Sequence, residues 1–494
     1  QGFGLQNAGL APVGTKNKEN MTKNKVIGSL AALGLAWGIP LDGQAGQPST
    51  GSEPPKEKVS SALGAWWNGK YASGNWFGVR DTLEDHGLKL GVEWKANFLW
   101  NVDGGLQQRF GYDDEWKFRG TLDFAKVTGW DVVEGLTAYS DLRYRGGAGV
   151  NKWVGASSQF APSTFQGGRL WRFQQVYLTY VTPELFGIKE LLTLSGGWQN
   201  PTDIFINQPL NKFFINNTFT SNRGIGANGI GWGGSYAAWG GYIKVKPTDW
   251  YYLQSGLYMA IPDATSTSNH GLYFAGAQPP DRNGVFWLTE TGVTPKIGPS
   301  QLPGRYATGL IYWGVENTSF FGQPYDQKLL FYWQADQMIY REPSPHAPSL
   351  VVPSDGKSVA DGKEAKEVVK PSKPKLNEQG LYFFSLINFA PKYNNALPFY
   401  FQTGLVYKGL IPGRDQDQLG VAFAYGNYSY YKQIADEARG RATQVYEAVI
   451  EFDYRIQVNK WFYAQPVLQY IIRPNGTGLV ENATILGFQL GVIF

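Results

Sequence analysis

The side chains best suited to chemistry in this sequence are few and poorly grouped. Glu447, Glu451 and Asp453 stand on one face of an alternating stretch, and paired carboxylates raise the question of glycoside hydrolysis. On an extended strand Glu447 and Glu451 would be about 13 Å apart, beyond the roughly 5–9.5 Å between catalytic carboxyls. Glu451 and Asp453 would be about 7 Å apart by the same rise, but open water around them would do little to raise an acid's pKa. Gly224, Gly226 and Gly229 satisfy G-x-G-x-x-G, a pattern that needs a strand before it and a helix after it to hold a dinucleotide. Here glycine continues at Gly231, Gly233 and Gly234, and the segment reads as a flexible loop. The three histidines, His86, His270 and His346, are far apart in sequence, and there is no cysteine. Disulfides and thiolate metal sites are excluded, and neither a metal centre nor a cofactor is expected. An enzyme is therefore the weaker alternative, beside a soluble sugar-binding β-protein.

What remains is the scaffold. Aromatic residues reach 15% and charged ones only 17%, yet the mean hydropathy is −0.30. Spanning helices need about 20 consecutive apolar residues each and would raise that mean. A membrane β-barrel alternates apolar and polar residues and keeps it low. The net charge of +4 is spread along the chain and leaves no nucleic-acid footprint.

The N-terminal region reads as an export signal. Met21 opens a segment with Lys23 and Lys25, an apolar run from Val26 to Ile39, and the small-residue site Gly43-Gln44-Ala45. The run is shorter than the roughly 20 residues of a membrane anchor, so residues 21–45 are expected to be a signal peptide cleaved after Ala45. Residues 1–20 read as an upstream extension. Residues 46–60, rich in Gly, Pro, Ser, Lys and Glu, form a linker within a periplasmic N-terminal segment, 46–86.

From Leu88 the chain alternates. Leu88, Leu90, Val92, Trp94, Ala96, Phe98 and Trp100 share one face; Lys89, Gly91, Glu93, Lys95 and Asn97 share the other, interrupted only by Leu99. That length exceeds an ordinary strand of about 5–6 residues and suits a tilted membrane strand of roughly 9–11 plus its ends. Trp116, Phe118, Leu122 and Phe124 alternate with Lys117, Arg119, Thr121 and Asp123, and later segments repeat the pattern. Aromatics near strand ends, Trp94 with Trp100 and Trp461 with Tyr470, fit interfacial girdles. Sixteen such segments start near residues 87, 115, 135, 171, 190, 235, 250, 284, 305, 329, 380, 397, 417, 443, 460 and 483. The expected fold is all-β: a transmembrane antiparallel barrel of about sixteen strands over 87–494, both termini periplasmic, its outer face against outer-membrane lipid. Residues 343–379 break the rule of short periplasmic turns. They read as a disordered insertion, with a lysine-rich contact to an anionic periplasmic partner as the alternative.

Parity places a set of side chains in the lumen: Glu93, Lys95, Asn97, Arg119, Asp123, Asp141, Arg143, Arg145, Gln334, Asp336, Glu447, Glu451, Asp453 and Gln469. Arg119, Arg143 and Glu447 are the first choices for substrate contact. Both signs are present, so the wall should be polar without being a strong ion filter. The long segment 200–234, with Phe205, Phe213, Phe214, Arg223 and Trp232, is either a constriction or a cover for the mouth.

Several blocks resemble the carbohydrate-selective porins of the OprB type. They are Gly74-Asn75-Trp76-Phe77-Gly78-Val79-Arg80, Gly197-Trp198-Gln199 followed by Phe205 and Asn211, Pro303-Gly304-Arg305-Tyr306, Ala335 to Pro343, Gly409 to Arg414 with Asp417, and Gln465 to Tyr470. The likeness covers about 74–494. It departs at Asn75-Trp76-Phe77, where the family usually has an acidic residue, tryptophan and glycine, and at the 343–379 insertion. The resemblance implies passive diffusion of mono- and oligosaccharides across the outer membrane, without cofactor, with a general or other-substrate porin as the alternative. It also implies a final strand, Thr484 to Phe494, of the kind that barrel-assembly machinery reads.

Overall fold

The computed structural model describes residues 62–165, 170–231, 237–261, 270–272, 284–343 and 378–494. The expected extension 1–20, signal 21–45 and linker 46–60 lie outside the described residues, as do Trp232 and nearly all of the 343–379 insertion.

Sixteen long antiparallel strands close into one barrel. They are β1 (Leu88–Asp103), β2 (Phe110–Asp123), β3 (Leu136–Ala148), β4 (Leu170–Val181), β5 (Leu192–Gln199), β6 (Ala238–Thr248), β7 (Tyr251–Ala260) and β8 (Gly284–Val293). They continue as β9 (Leu302–Gly314), β10 (Lys328–Arg341), β11 (Gly380–Phe389), β12 (Phe399–Lys408), β13 (Gln418–Asn427), β14 (Tyr446–Gln457), β15 (Phe462–Ile472) and β16 (Ala483–Ile493). Each strand pairs with its sequence neighbours, and β1 pairs with both β2 and β16, so no edge is left open. Every start lies within five residues of the expected one, the widest gap being β2, which begins at Phe110. No helix among the described residues is long and apolar enough to cross a membrane.

Side-chain parity sorts the two faces. Trp100, Trp171, Leu178, Ile243, Leu257, Trp287, Phe331, Phe389, Phe452, Leu468 and Phe488 are exposed on the outside, an apolar band around the barrel. Leu99, the one break in the first alternation, points inward and is buried in a cluster that includes Val150 and Val154. A bulge opposite Asp141 and Leu142 shifts the parity of β4, so that Gln174 and Gln175 are both buried.

The bore is not empty. Segment 200–231 enters it and contributes Phe205, Ile206, Phe219, Ile225 and Ile230, all fully buried. They pack in one cluster with wall residues such as Leu288, Ile311, Leu330, Tyr332, Phe384 and Tyr400, drawn chiefly from β7–β15. Burial of each side chain contributes about 1.5–3 kcal/mol, on the order of 10 kcal/mol for the five as an upper figure. A cover over the mouth would forgo that burial, so the segment is an internal constriction.

Ahead of β1 the chain forms α1 (Ala62–Trp67) and α2 (Val79–Asp85). Arg80 is buried between the rings of Tyr71, at 3.8 Å, and Trp76, at 4.1 Å, and donates to the Phe494 carbonyl at 3.2 Å. The Ala72 amide donates to the Ile493 carbonyl at 2.8 Å, and the Phe494 amide to Val92 at 2.8 Å. The Gly74–Arg80 motif thus fastens the N-terminal segment to the seam where β1 meets β16.

Candidate functional site

The inward face of β1–β3 is a ladder of charge. Register sets Glu93 beside Lys117, Lys95 beside Glu115, Glu115 beside Arg145 and Arg119 beside Asp141. Opposite charges across neighbouring strands attract; two of the five ion pairs cross between strands, and three join residues two apart on one strand. Glu93 binds Lys95 at 2.8 Å and Arg119 at 2.7 Å; Glu115 binds Lys117 at 3.0 Å and Arg145 at 2.6 Å; Asp141 binds Arg143 at 2.5 Å. Facing this wall are Asp203, Lys212, Phe214, Thr220 and Arg223 of the inward segment. Between wall and segment lies a cavity of about 430 Å³. Its volume falls at the small end of the roughly 300–1,000 Å³ typical of small-molecule sites.

Seven residues chosen by parity meet in this cavity: Glu93, Lys95, Asn97, Arg119, Asp141, Arg143 and Arg145. Asn97 is also tied sideways, donating to Ser163 at 2.8 Å and accepting from Gln489 at 2.7 Å. Asp123 serves elsewhere. At the end of β2 it caps α3 (Phe124–Thr128), accepting from the amides of Ala125 at 3.1 Å and Lys126 at 3.3 Å.

The remaining six point inward but bind other parts of the polypeptide, Glu451 and Gln469 among them reaching the inward segment. Glu451 accepts from the amides of Ile215 at 2.6 Å and Asn216 at 3.0 Å. Gln469 accepts from the Asn216 amide group at 3.0 Å and donates to the Pro162 carbonyl at 3.0 Å. Glu447 accepts from the backbone of Ser157 at 3.1 Å and Asn475 at 2.9 Å, and Asp453 accepts from Gln465 at 2.9 Å. Gln334 donates to Glu290 at 2.9 Å, while Asp336 lies 3.7 Å from Arg305. Glu447, a first choice for substrate contact, is fully buried in an anchoring role.

Glu290, missed by the sequence reading, is the main anchor. It accepts from Tyr252 and Tyr332 at 2.8 Å, Gln334 at 2.9 Å, Gln254 and Arg305 at 3.0 Å, and the Ile206 amide at 3.2 Å. Ile206 sits at φ 51°, a left-handed conformation that β-branched residues resist. The glycine motif is likewise packed, not a flexible loop: Gly224 has φ 78°, and a Cβ there would run into the Tyr400 ring. Its glycines allow close approach to the wall. Arg223 donates to the carbonyls of Thr202 and Ile206 at 2.9 Å and Thr220 at 3.0 Å. Burial pushes its guanidinium below the usual arginine range. Enclosure, with Arg223 next, pushes the Lys212 ammonium down to about 8.

Glu115 and Lys117 stood on the alternating face of β2 and were findable by parity. Asp203 and Lys212 carry no periodic signal. The cavity is lined by charged and polar side chains, with Phe165 and Phe214 among them.

Residues 107–494 match the model of the carbohydrate-selective porin, OprB family. The chain belongs to this family. The porin is 25% identical to Porin B of Pseudomonas aeruginosa over 97% of this chain and 100% of the relative. It is 22% identical to the putative porin QuiX of Acinetobacter baylyi, over 85% and 92%. The high-pH structure of Pseudomonas putida OprB superimposes with a TM-score of 0.73 at 20% identity, covering 86% of this chain and 99% of that one. The porin is an outer-membrane channel for carbohydrates.

Proposed function

We propose that monosaccharides and short oligosaccharides diffuse passively through the gap between the β1–β3 wall and segment 203–223. The supporting observation is the inward segment itself, pinned at Glu290 and Glu451 and leaving the charged cavity open beside it. Paired charges present donors and acceptors to sugar hydroxyls, and each is already satisfied by its partner. Binding is then weak enough for release, which conduction requires. Arg119 and Arg143 are the substrate contacts of the wall.

The same reading has residues 21–45 removed on export and the short-turn end of the barrel in the periplasm, together with both termini and the 343–379 insertion. Outer-membrane lipid surrounds the apolar band, and barrel-assembly machinery inserts the chain. No bond of the sugar is broken.

Liposome swelling with a series of sugars tests the proposal. Monosaccharides should enter fastest, rates should fall steeply with length, and purified protein should release no new reducing ends from oligosaccharides. Swelling that is independent of sugar size, or fresh reducing ends, would overturn it.

A further inference from the structure

We infer that the channel favours carbohydrates bearing a carboxylate, such as aldonic and uronic acids, over neutral ones of equal size. The inference rests on the permeation reading above and names its substrate class more narrowly. Among the described residues, seven cationic side chains line the cavity against four carboxylates. On the wall every acid is matched: Glu93 and Glu115 each hold two cations, and Asp141 holds one.

The surplus is sharpened by the inward segment. Asp203 accepts from Gln175 at 3.0 Å rather than from a cation. Arg223 is buried, and its acceptors among the described residues are backbone carbonyls. Lys212 is exposed to the cavity and has no carboxylate within ion-pair distance among the described residues. A neutral sugar gains little from an unmatched ammonium in a narrow, protein-walled gap. A carboxylate gains a charge partner, and clefts of one sign concentrate the opposite ion on the order of tenfold or more. A second cavity, near 370 Å³, shows that the surplus is local, because the described residues lining it balance three cations, Lys244, Lys246 and Arg305, with three acids, Glu190, Asp249 and Glu290.

The test uses the full chain in planar bilayers under a potassium chloride gradient, with gluconate and glucose as probes. The expected reversal potential lies toward chloride, and gluconate should depress the current at roughly a tenfold lower concentration than glucose, the low end of electrostatic focusing. Lys212→Gln should shrink that ratio, and Lys212→Arg should restore it. Equal half-blocking concentrations in the native porin, a potassium preference, or a ratio untouched by Lys212→Gln would each overturn the inference. Should Lys212→Gln fail to insert, the native comparison still decides. If neither sugar swells liposomes, the diffusion reading falls, while the reversal potential still reports the charge preference.

Discussion

Glu451→Gln should loosen the constriction without unfolding the barrel. In the native chain the Glu451 carboxylate accepts from the Ile215 amide at 2.6 Å and the Asn216 amide at 3.0 Å, and it is fully buried. A buried donor left without its acceptor costs about 1–3 kcal/mol. The amide keeps one acceptor oxygen but turns the other into a donor that meets the Asn216 amide, so a net loss of about 3 kcal/mol is the working figure. Each 1.4 kcal/mol is tenfold in an equilibrium constant, so local release of residues 213–220 should become somewhat over a hundredfold more frequent. Glu290, Gln208 and Arg223 still hold the rest of the segment. Hydrogen exchange at the Ile215 and Asn216 amides reads that release directly, and liposome swelling with a trisaccharide reads its effect on size exclusion. Both should rise. If exchange at these two amides matches the native rate, Glu451 is not the anchor described.

Three further outcomes follow from the same geometry. The Lys212 ammonium is charged below and neutral above about 8, so anion preference should fall as pH rises from 7 to 9. Arg223, Asp203, Lys117 and Arg143 also face Lys212, so the step is read as the difference from Lys212→Gln in reversal-potential measurements. Gly224→Val, which drives a side chain into Tyr400 at φ 78°, should displace the segment and widen the exclusion limit in swelling assays. Arg80→Ala removes two ring contacts and the tie to Phe494. It should lower the unfolding temperature in detergent by a few degrees, roughly 2–4 °C per kcal/mol for a large domain, and leave single-channel conductance as in the native porin.

The barrel was legible because its signal is local and repeated. Period-two alternation over sixteen segments needs no knowledge of distant contacts, and even Leu99 marked itself as an exception. Inwardness was legible too, but not what each inward side chain meets. Glu447, Glu451, Asp453 and Gln469 share the parity of the wall charges, yet they face polypeptide rather than the cavity. The partners of Glu447, Glu451 and Gln469 lie as much as some three hundred residues away in sequence, in segments whose path no pattern announces. Asp123 misled for a different reason. It keeps the alternation but falls on the last residue of β2, where capping the next helix satisfies two backbone amides at once. Glu290 was hidden because its importance lies in its six donors, which come from three strands and the inward segment.

The decisive measurement exploits the absence of cysteine from the chain. Single cysteines at Arg119 on the wall and Thr220 on the inward segment can be treated with thiol reagents of increasing size during single-channel recording. Current should fall stepwise with reagent size at both positions, because the two line opposite sides of one passage. Modification at Thr220 that leaves the current untouched would contradict the account, since the route would then pass elsewhere.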